Sequence, residues 1–213
     1  MSDGVIVLHG IFRTYRSMSG LARNLEKAGY EVLNLGYPST KLSIEELVEY
    51  INEDIERFSR KINGKIHFAG YSMGGLLVRA YINKYRPKKL GRVVMIATPN
   101  NGSEIADLLK DLRLYHKLYG PSGQQLITDQ KDLKNIFGKV DYELGIIAGD
   151  RPVDMISSRI IGKPNDGKVS IESTKLENMK DHIIIRCNHT YFPASRKAHA
   201  QAINFLAEGR FRR

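Results

Sequence analysis

The segment 70–75, Gly-Tyr-Ser-Met-Gly-Gly, limits the fold of this chain more than any other feature of the sequence. An apolar run of strand length precedes it at 66–69, and apolar residues at helical spacing follow it at 76–82. A strand, a sharp turn and a helix form the context in which a Gly-x-Ser-x-Gly motif holds its serine at the tip of a strained turn. The glycines leave room for that turn and let the helix begin close to the sheet. The pattern therefore predicts that Ser72 is a nucleophile.

Strand-like and helix-like segments alternate on both sides of this motif. Apolar runs typical of buried strands lie at 5–8, 30–35, 66–69, 93–97, 142–149 and 182–186. Helical periodicity occurs at 17–28, 43–62 and 195–207. Ser43 followed by Glu46 is typical of a capping box that begins the second of these helices. This alternation predicts an α/β fold, with a mostly parallel sheet and helices on both faces, in one domain that spans residues 1–213.

Residues 104–138 interrupt the alternation with two or three amphipathic helical pieces and no strand. An insertion at the carboxyl edge of a parallel sheet is placed to cover an active site. We expect this insertion to be a lid whose apolar side chains contact an acyl chain, with Leu112 and Tyr115 among them. The alternative is that its helices are ordinary ones whose apolar faces pack against the sheet.

A nucleophilic serine needs a base to accept its proton and a carboxylate to hold that base in the right tautomer. His189 follows the last predicted strand and precedes the last helix, where the base lies when serine, acid and histidine follow one another along the chain. Two residues are candidates for the acid: Asp166, in a Pro-Asn-Asp-Gly turn, and Asp150, directly after a strand.

The sequence His-Gly-Ile-Phe at 9–12 directly follows the first buried strand. A loop at this position faces the same crevice as the serine turn, so its backbone amides can bind negative charge that develops beside the serine. We expect the amides of Ile11 and Met73 to be the two donors, with Phe12 replacing Ile11 if the register differs by one residue. His9 itself we expect to bond a buried backbone group.

The formal net charge is +10, from 33 basic and 23 acidic residues. The basic residues are scattered and form no long block interleaved with aromatic residues, which argues against a nucleic-acid partner. We expect a solvated basic surface first, and after that an attraction to anionic lipid or to an acidic substrate.

The single cysteine, Cys187, excludes an internal disulfide and fits a reducing compartment. No stretch approaches the roughly 18 consecutive apolar residues of a membrane-spanning helix, and the apolar run at 4–8 is too short for a secretory signal. We therefore expect a cytoplasmic protein without a transmembrane segment.

Four parts of the chain resemble the α/β-hydrolase superfamily, and within it the lipase and esterase branch. They are residues 9–11 with 17–18, 70–75, 98–103, and 165–170 with 188–190. The Thr-Pro-Asn-Asn-Gly-Ser sequence at 98–103 is similar to the Thr-Pro-x-x-Gly-Ser segment of triacylglycerol lipases and of the GPI inositol-deacylase-like group. The chain begins at what is usually the third strand of that fold, so the resemblance implies a minimal core. Tyr71 stands where many relatives have histidine, which leaves the mechanism intact.

The resemblance implies a triad of Ser72, Asp166 and His189. It favours Asp166 over Asp150, as does the segment 152–161, which we expect to be a loop with a short helix that returns to the site. We also expect Phe12 and Tyr71 to contact the substrate.

The expected activity is hydrolysis of a small-molecule or lipid carboxylic ester, which needs neither a metal nor an organic cofactor. Two alternatives stay open. One is acyl transfer or thioester cleavage by the same triad, and the other is a non-catalytic protein that keeps the fold to bind lipid or a partner.

Overall fold

The computed structural model describes residues 2–103, 113–126, 134–152 and 155–213. The strands are β1 (Gly4–Leu8), β2 (Glu31–Leu35), β3 (Ile66–Tyr71), β4 (Leu90–Ile96), β5 (Leu144–Gly149) and β6 (Asp181–Ile185). The α-helices are α1 (Ser19–Lys27), α2 (Ile44–Lys61), α3 (Met73–Tyr85), α4 (Arg113–Gln124), α5 (Lys134–Phe137), α6 (Met155–Ile161), α7 (Ile171–Thr174) and α8 (Arg196–Glu208). Short 3₁₀ helices span Tyr15–Met18 and His189–Ala194.

The six strands form one sheet in the order β2-β1-β3-β4-β5-β6, and each neighbouring pair is parallel. This confirms the predicted parallel sheet. In the register of the pairs, Leu8 lies beside Gly70, and Tyr71 lies beside Ile96. The carboxyl ends of the strands therefore meet at one edge, where the loops after β1, β3 and β6 come together.

Helices cover both faces of the sheet, as the alternation predicts. On one face, α2 and α3 bury apolar stripes against the strands, and Leu47, Ile51 and Ile55 of α2 are fully buried there. On the other face, α1 and α8 pack around Leu21, Leu25 and Phe205. Each fully buried side chain of this kind contributes about 1.5–3 kcal/mol relative to an exposed one, so both layers hold the sheet rigid beneath its loops.

The predicted capping box begins α2. The Ser43 hydroxyl accepts a 3.2 Å hydrogen bond from the Glu46 amide, and the Glu46 carboxylate accepts a 2.7 Å bond from the Ser43 amide. Two amides that have no partner inside the helix are thereby satisfied.

Two element boundaries differ most from the sequence-based prediction. The helix expected at 17–28 is divided into the 3₁₀ helix Tyr15–Met18 and α1. Strand β4 begins at Leu90, because Leu90 pairs with Ile66, and it ends before Ala97, whose φ of 51° is left-handed. The segment 152–161, expected to be a loop with a short helix, contains the helix α6.

Of the expected insertion at 104–138, the described parts are α4, the turn that follows it, and 134–138 with α5. Helix α4 has a kink at Gly120, whose φ and ψ are 64° and −168°. Leu112 and the side chain of Tyr115 lie outside the described part of the chain. Among the described residues, none of the helices has both the length and the apolar composition that crossing a bilayer requires.

Candidate active site

Ser72 occupies the sharp turn between β3 and α3. Its φ of 53° and ψ of −126° are strained for a residue with a side chain. The turn is fixed on both sides, because the Ser72 amide donates to the Ile96 carbonyl at 2.8 Å and the Gly75 amide donates to the Ser72 carbonyl at 2.9 Å. A Cβ atom at Gly74 would lie 2.5 Å from the backbone oxygens of both Leu8 and His9, so only glycine fits there.

His189 lies beside this serine. The Ser72 Oγ is 3.0 Å from His189 Nε2, although the two residues are 117 positions apart. The His189 amide donates to the Asp166 carbonyl at 2.8 Å, and the Tyr71 hydroxyl donates to the His189 carbonyl at 2.7 Å. The Asn188 side chain also caps the following 3₁₀ helix through the Tyr191 amide. The main chain on both sides of the imidazole is therefore held in place.

Asp166 is the carboxylate that contacts this histidine. Its Oδ2 is 2.7 Å from His189 Nδ1, while its Oδ1 accepts hydrogen bonds from the amides of Lys168 and Val169 at 3.0 and 2.9 Å. Asp166 is buried at 1% exposure, whereas Asp150 is exposed at the end of β5. A Cβ atom at Gly149 would lie 2.9 Å from Asp166 Cβ, so this glycine makes room for the carboxylate.

These contacts form a continuous chain from Ser72 Oγ through the imidazole to Asp166. A hydrogen on Nδ1 that bonds to the carboxylate leaves Nε2 as the acceptor for the serine hydroxyl, which is the arrangement of a neutral imidazole. The arrangement is suited to moving a proton from the hydroxyl to the ring, because the positive charge that forms there faces a buried carboxylate.

The loop after β1 lies against the same site. The Arg13 amide donates to the Gly10 carbonyl at 3.2 Å and closes a four-residue turn in which Phe12 has a left-handed φ of 58°. Within the described part of the chain, the amides of Ile11 and Phe12 have no hydrogen-bond partner, and neither does that of Met73 at the start of α3. These amides are free to donate to a ligand, and the helix N-terminus adds a favourable field for negative charge.

His9 anchors this loop. Its Nδ1 is 2.8 Å from the Gly10 carbonyl, which confirms the expected bond to a buried backbone group. The ring stacks on Tyr37 at 4.0 Å between centroids and 8° between planes, and the Tyr37 hydroxyl donates to the His9 carbonyl. Burial lowers the pKa of His9, so the imidazole is neutral near pH 7.

A pocket of about 250 Å³ opens above the serine. Its lining comprises Ile11, Phe12, Arg13, Tyr71, Ser72, Pro99, Ser103, Tyr119, Leu126, Lys168, Val169, His189 and Thr190. Phe12 and Tyr71, both expected to contact a substrate, line this pocket. The exposed ring of Phe12 meets the ring of Tyr119 edge to face, with centroids 4.6 Å apart. The sequence interpretation missed Arg13, Tyr119 and Lys168, although Arg13 and Lys168 lie next to motif residues.

No group of three or more His, Cys, Asp and Glu side chains within the described residues is arranged to hold a metal ion. Cys187 is buried, and burial raises the pKa of its thiol, so it has none of the features of an activated nucleophile.

Comparison with known proteins extends these observations. A family model described as alpha/beta hydrolase fold matches residues 4–120. The mature form of the Bacillus licheniformis lipase BlEst2 has a similar structure, with a TM-score of 0.78 and 17% identity over 97% of this chain and 91% of that one. A monoacylglycerol lipase of Paleococcus ferrophilus gives a TM-score of 0.64 and 17% identity over 96% and 94% of the two chains.

The phospholipase PlaB of Legionella pneumophila is also similar, with a TM-score of 0.73 and 14% identity over 97% of this chain and 59% of that chain. No curated protein matches the sequence at a significant level. At these identities, the structural likeness shows a shared fold.

Proposed function

The chain belongs to the alpha/beta hydrolase fold family, and on that premise we propose that it is a serine hydrolase that cleaves carboxylic esters through an acyl-enzyme intermediate. The hydrogen-bonded chain of Ser72, His189 and Asp166 is the observation that carries the proposal. The lipases and the phospholipase among the similar structures support ester substrates.

In the proposed first step, Ser72 Oγ attacks the ester carbonyl carbon and His189 Nε2 takes the hydroxyl proton. The carbonyl oxygen becomes an oxyanion, which the amides of Ile11 and Met73 stabilise. Both amides belong to rigid backbone, one in the turn after β1 and the other at the start of α3, so little reorganisation is needed when the charge develops.

Asp166 orients the imidazole and stabilises its positive form. Two backbone amides bond to the second carboxylate oxygen and hold the carboxylate in place. The imidazolium then gives its proton to the leaving alcohol, the alcohol departs, and water releases the acid by the reverse path.

The proposal also includes the domain, the substrate class and the compartment that we expect from the sequence. We place the reaction in one catalytic domain over residues 1–213, on small-molecule or lipid esters and in the cytoplasm.

The test compares wild type with Ser72→Ala, using p-nitrophenyl ester hydrolysis and labelling by a fluorophosphonate. We expect Ser72→Ala to lose both signals, because the nucleophilic oxygen is absent. Ser158→Ala on α6 is the matched control and is expected to keep both. Normal turnover in Ser72→Ala contradicts the proposal. Absence of a fluorophosphonate adduct in wild type would instead indicate a fold kept only for binding.

A further inference from the structure

The charged residues that line the pocket above Ser72 in the described part of the chain are all basic. Arg13 and Lys168 line it, and no carboxylate is among its described lining residues. Neither cation forms an ion pair with a described residue. Elsewhere the chain pairs many of its cations, as Arg92 and Lys180 do with Glu143. Two unneutralised positive charges in one cleft attract anions and raise their local concentration.

The two cations approach the site from opposite loops. Arg13 is half-buried and closes the turn after β1. Burial raises the pKa of Tyr71, and the positive charge of Arg13 acts in the opposite direction. Arg13, Tyr71 and His189 line the same pocket, and the Tyr71 hydroxyl bonds to the His189 carbonyl.

Lys168 extends from the loop that carries Asp166. Its amide donates to the Asp166 carboxylate at 3.0 Å, and its carbonyl accepts a 2.9 Å bond from the Ser103 hydroxyl. The main chain is therefore fixed, while the exposed side chain is free to reach a ligand at the pocket mouth.

The rest of the lining is mainly apolar, and the cavity is small. Side chains of Ile11, Tyr119, Leu126 and Val169 contribute the apolar surface. Its volume of about 250 Å³ lies below the ~300 Å³ at which pockets for drug-sized ligands begin. This size suits a short acyl group.

We infer that the preferred substrates are short carboxylic esters that carry an anionic group, a carboxylate or a phosphate, a few bonds from the ester carbonyl. Arg13 and Lys168 are the residues that bind this anion. The guanidinium suits a planar carboxylate or a phosphate through paired hydrogen bonds, and the ammonium acts as a mobile point charge. The inference rests on the proposed function, because it concerns the substrate of the same serine.

The experiment uses two matched pairs of esters. In the first pair the anion is on the acyl side: mono(4-nitrophenyl) adipate is compared with 4-nitrophenyl hexanoate. In the second pair it is on the alcohol side: 1-hexanoyl-glycerol 3-phosphate is compared with 1-hexanoyl-glycerol. We expect kcat/KM for the anionic member to exceed that of its neutral partner by roughly fivefold or more in at least one pair. An effect of this size is typical of two partly exposed ion pairs, here between the substrate anion and the two cations. The pair that shows the preference identifies the side that carries the anion.

The preference should depend on the two cations and on salt. In the double variant Arg13→Gln/Lys168→Gln the ratio of the two kcat/KM values should fall to about one, and in Arg13→Glu/Lys168→Glu it should invert. Raising the salt from 0.1 M to 1 M should lower the wild-type ratio, because the Debye length falls from about 10 Å to about 3 Å. Arg23→Gln and Lys197→Gln, exposed cations outside the pocket lining, are the matched controls and should keep the wild-type ratio.

Two failures are distinguishable. Turnover of the neutral esters that depends on Ser72, with no preference for an anionic partner in either pair, overturns the substrate inference and leaves the proposed function intact. A preference that survives in both double variants also overturns it. Absence of turnover above the Ser72→Ala background for all four esters overturns the proposed function, and the substrate inference with it.

Discussion

The Tyr71 hydroxyl donates a 2.7 Å hydrogen bond to the backbone carbonyl of His189, which is 118 residues away. The residue before the proposed nucleophile therefore holds the peptide group of the proposed base. Tyr71 is only 3% exposed, so its side chain is held by packing as well as by this bond. The distance between Ser72 Oγ and the imidazole thus depends on a side chain that takes no proton itself.

Tyr71→Phe should weaken both stability and catalysis. The change removes the donor of a partly buried hydrogen bond, which costs about 0.5–1.5 kcal/mol of the free energy of unfolding. We expect kcat for a p-nitrophenyl ester to fall severalfold with little change in KM, because the imidazole is held less firmly. Urea denaturation and steady-state kinetics measure the two effects. Tyr191→Phe, at an exposed tyrosine, is the control, and equal behaviour of both variants would contradict the positioning role.

Gly74→Ala should damage the site and the fold together. The new methyl group would lie 2.5 Å from two backbone oxygens, those of Leu8 and His9, and neither atom is the end of a flexible side chain. We expect a loss of about 1–3 kcal/mol in the free energy of unfolding, and a larger loss of ester turnover because the loop after β1 is pushed away from Ser72.

Gly20→Ala provides the comparison for this prediction. Its nearest neighbour is a side-chain atom of His199 at 3.2 Å, and the residue lies in helix α1. We expect its free energy of unfolding to stay within about 1 kcal/mol of wild type, since alanine favours helix more than glycine does. If Gly74→Ala retains wild-type turnover, the close contact between the elbow and the loop after β1 has no role in function.

The stability of the protein should fall as the pH decreases below about 6.5, the ordinary pKa of histidine. Burial lowers the pKa of His9, His67 and His199 in the folded state. Between the folded and unfolded pKa values the unfolded chain binds more protons, so the free energy of unfolding rises with pH there and is lost on acidification. At His9, a second ring proton would also face the Tyr37 amide, which donates to Nε2 at 3.4 Å.

Urea denaturation at pH 7.5, 6.5 and 5.5 measures this dependence. We expect His9→Asn to lose about 1–3 kcal/mol at pH 7.5, because hydrogen bonds and ring stacking are removed. Its further loss between pH 7.5 and 5.5 should be smaller than that of wild type, since one titrating group is gone. An unchanged loss over that pH range would show that His9 does not titrate differently in the folded and unfolded states.

Strands buried on both faces were predictable from sequence because almost every residue in them is apolar or small. The runs at 5–8 and 66–69 lie within β1 and β3, which are buried throughout. The start of β4 was not predictable in this way. The segment Leu90–Arg92 is only half-buried. It forms a strand because Leu90 pairs with Ile66, which is a contact between separate parts of the chain.

The candidate site also has features that were predictable from the sequence and features that were not. Ser72 directly follows β3 and His189 follows β6, which indicated that they would meet, whereas the acid stayed open between Asp166 and Asp150 until the family resemblance favoured Asp166. The structure brings Ser72, Asp166 and His189 together, while their catalytic roles stay predictions. The bond from Tyr71 to His189 and the stacking of His9 on Tyr37 were not predictable. Both depend on how side chains from separate loops pack, and neither leaves a local pattern in the sequence.

Replacement of the two candidate acids separates their roles. Asp166→Asn keeps an oxygen for the Lys168 and Val169 amides, but its NH₂ group then faces His189 Nδ1. That ring nitrogen must become an acceptor, so Nε2 carries the hydrogen and no longer accepts the proton of Ser72. We expect kcat to fall about 10³- to 10⁴-fold, with the free energy of unfolding changed far less than activity.

Asp150→Asn is the matched control, because this exposed carboxylate at the end of β5 makes no hydrogen bond or ion pair with a described side chain. We expect it to keep kcat within about twofold of wild type, as is usual for surface changes of small energetic effect. Burst kinetics with a p-nitrophenyl ester measure acylation in both variants. A large loss in Asp150→Asn together with a small one in Asp166→Asn would reverse the assignment, since the hydrogen bond between His189 and Asp166 would then be structural only.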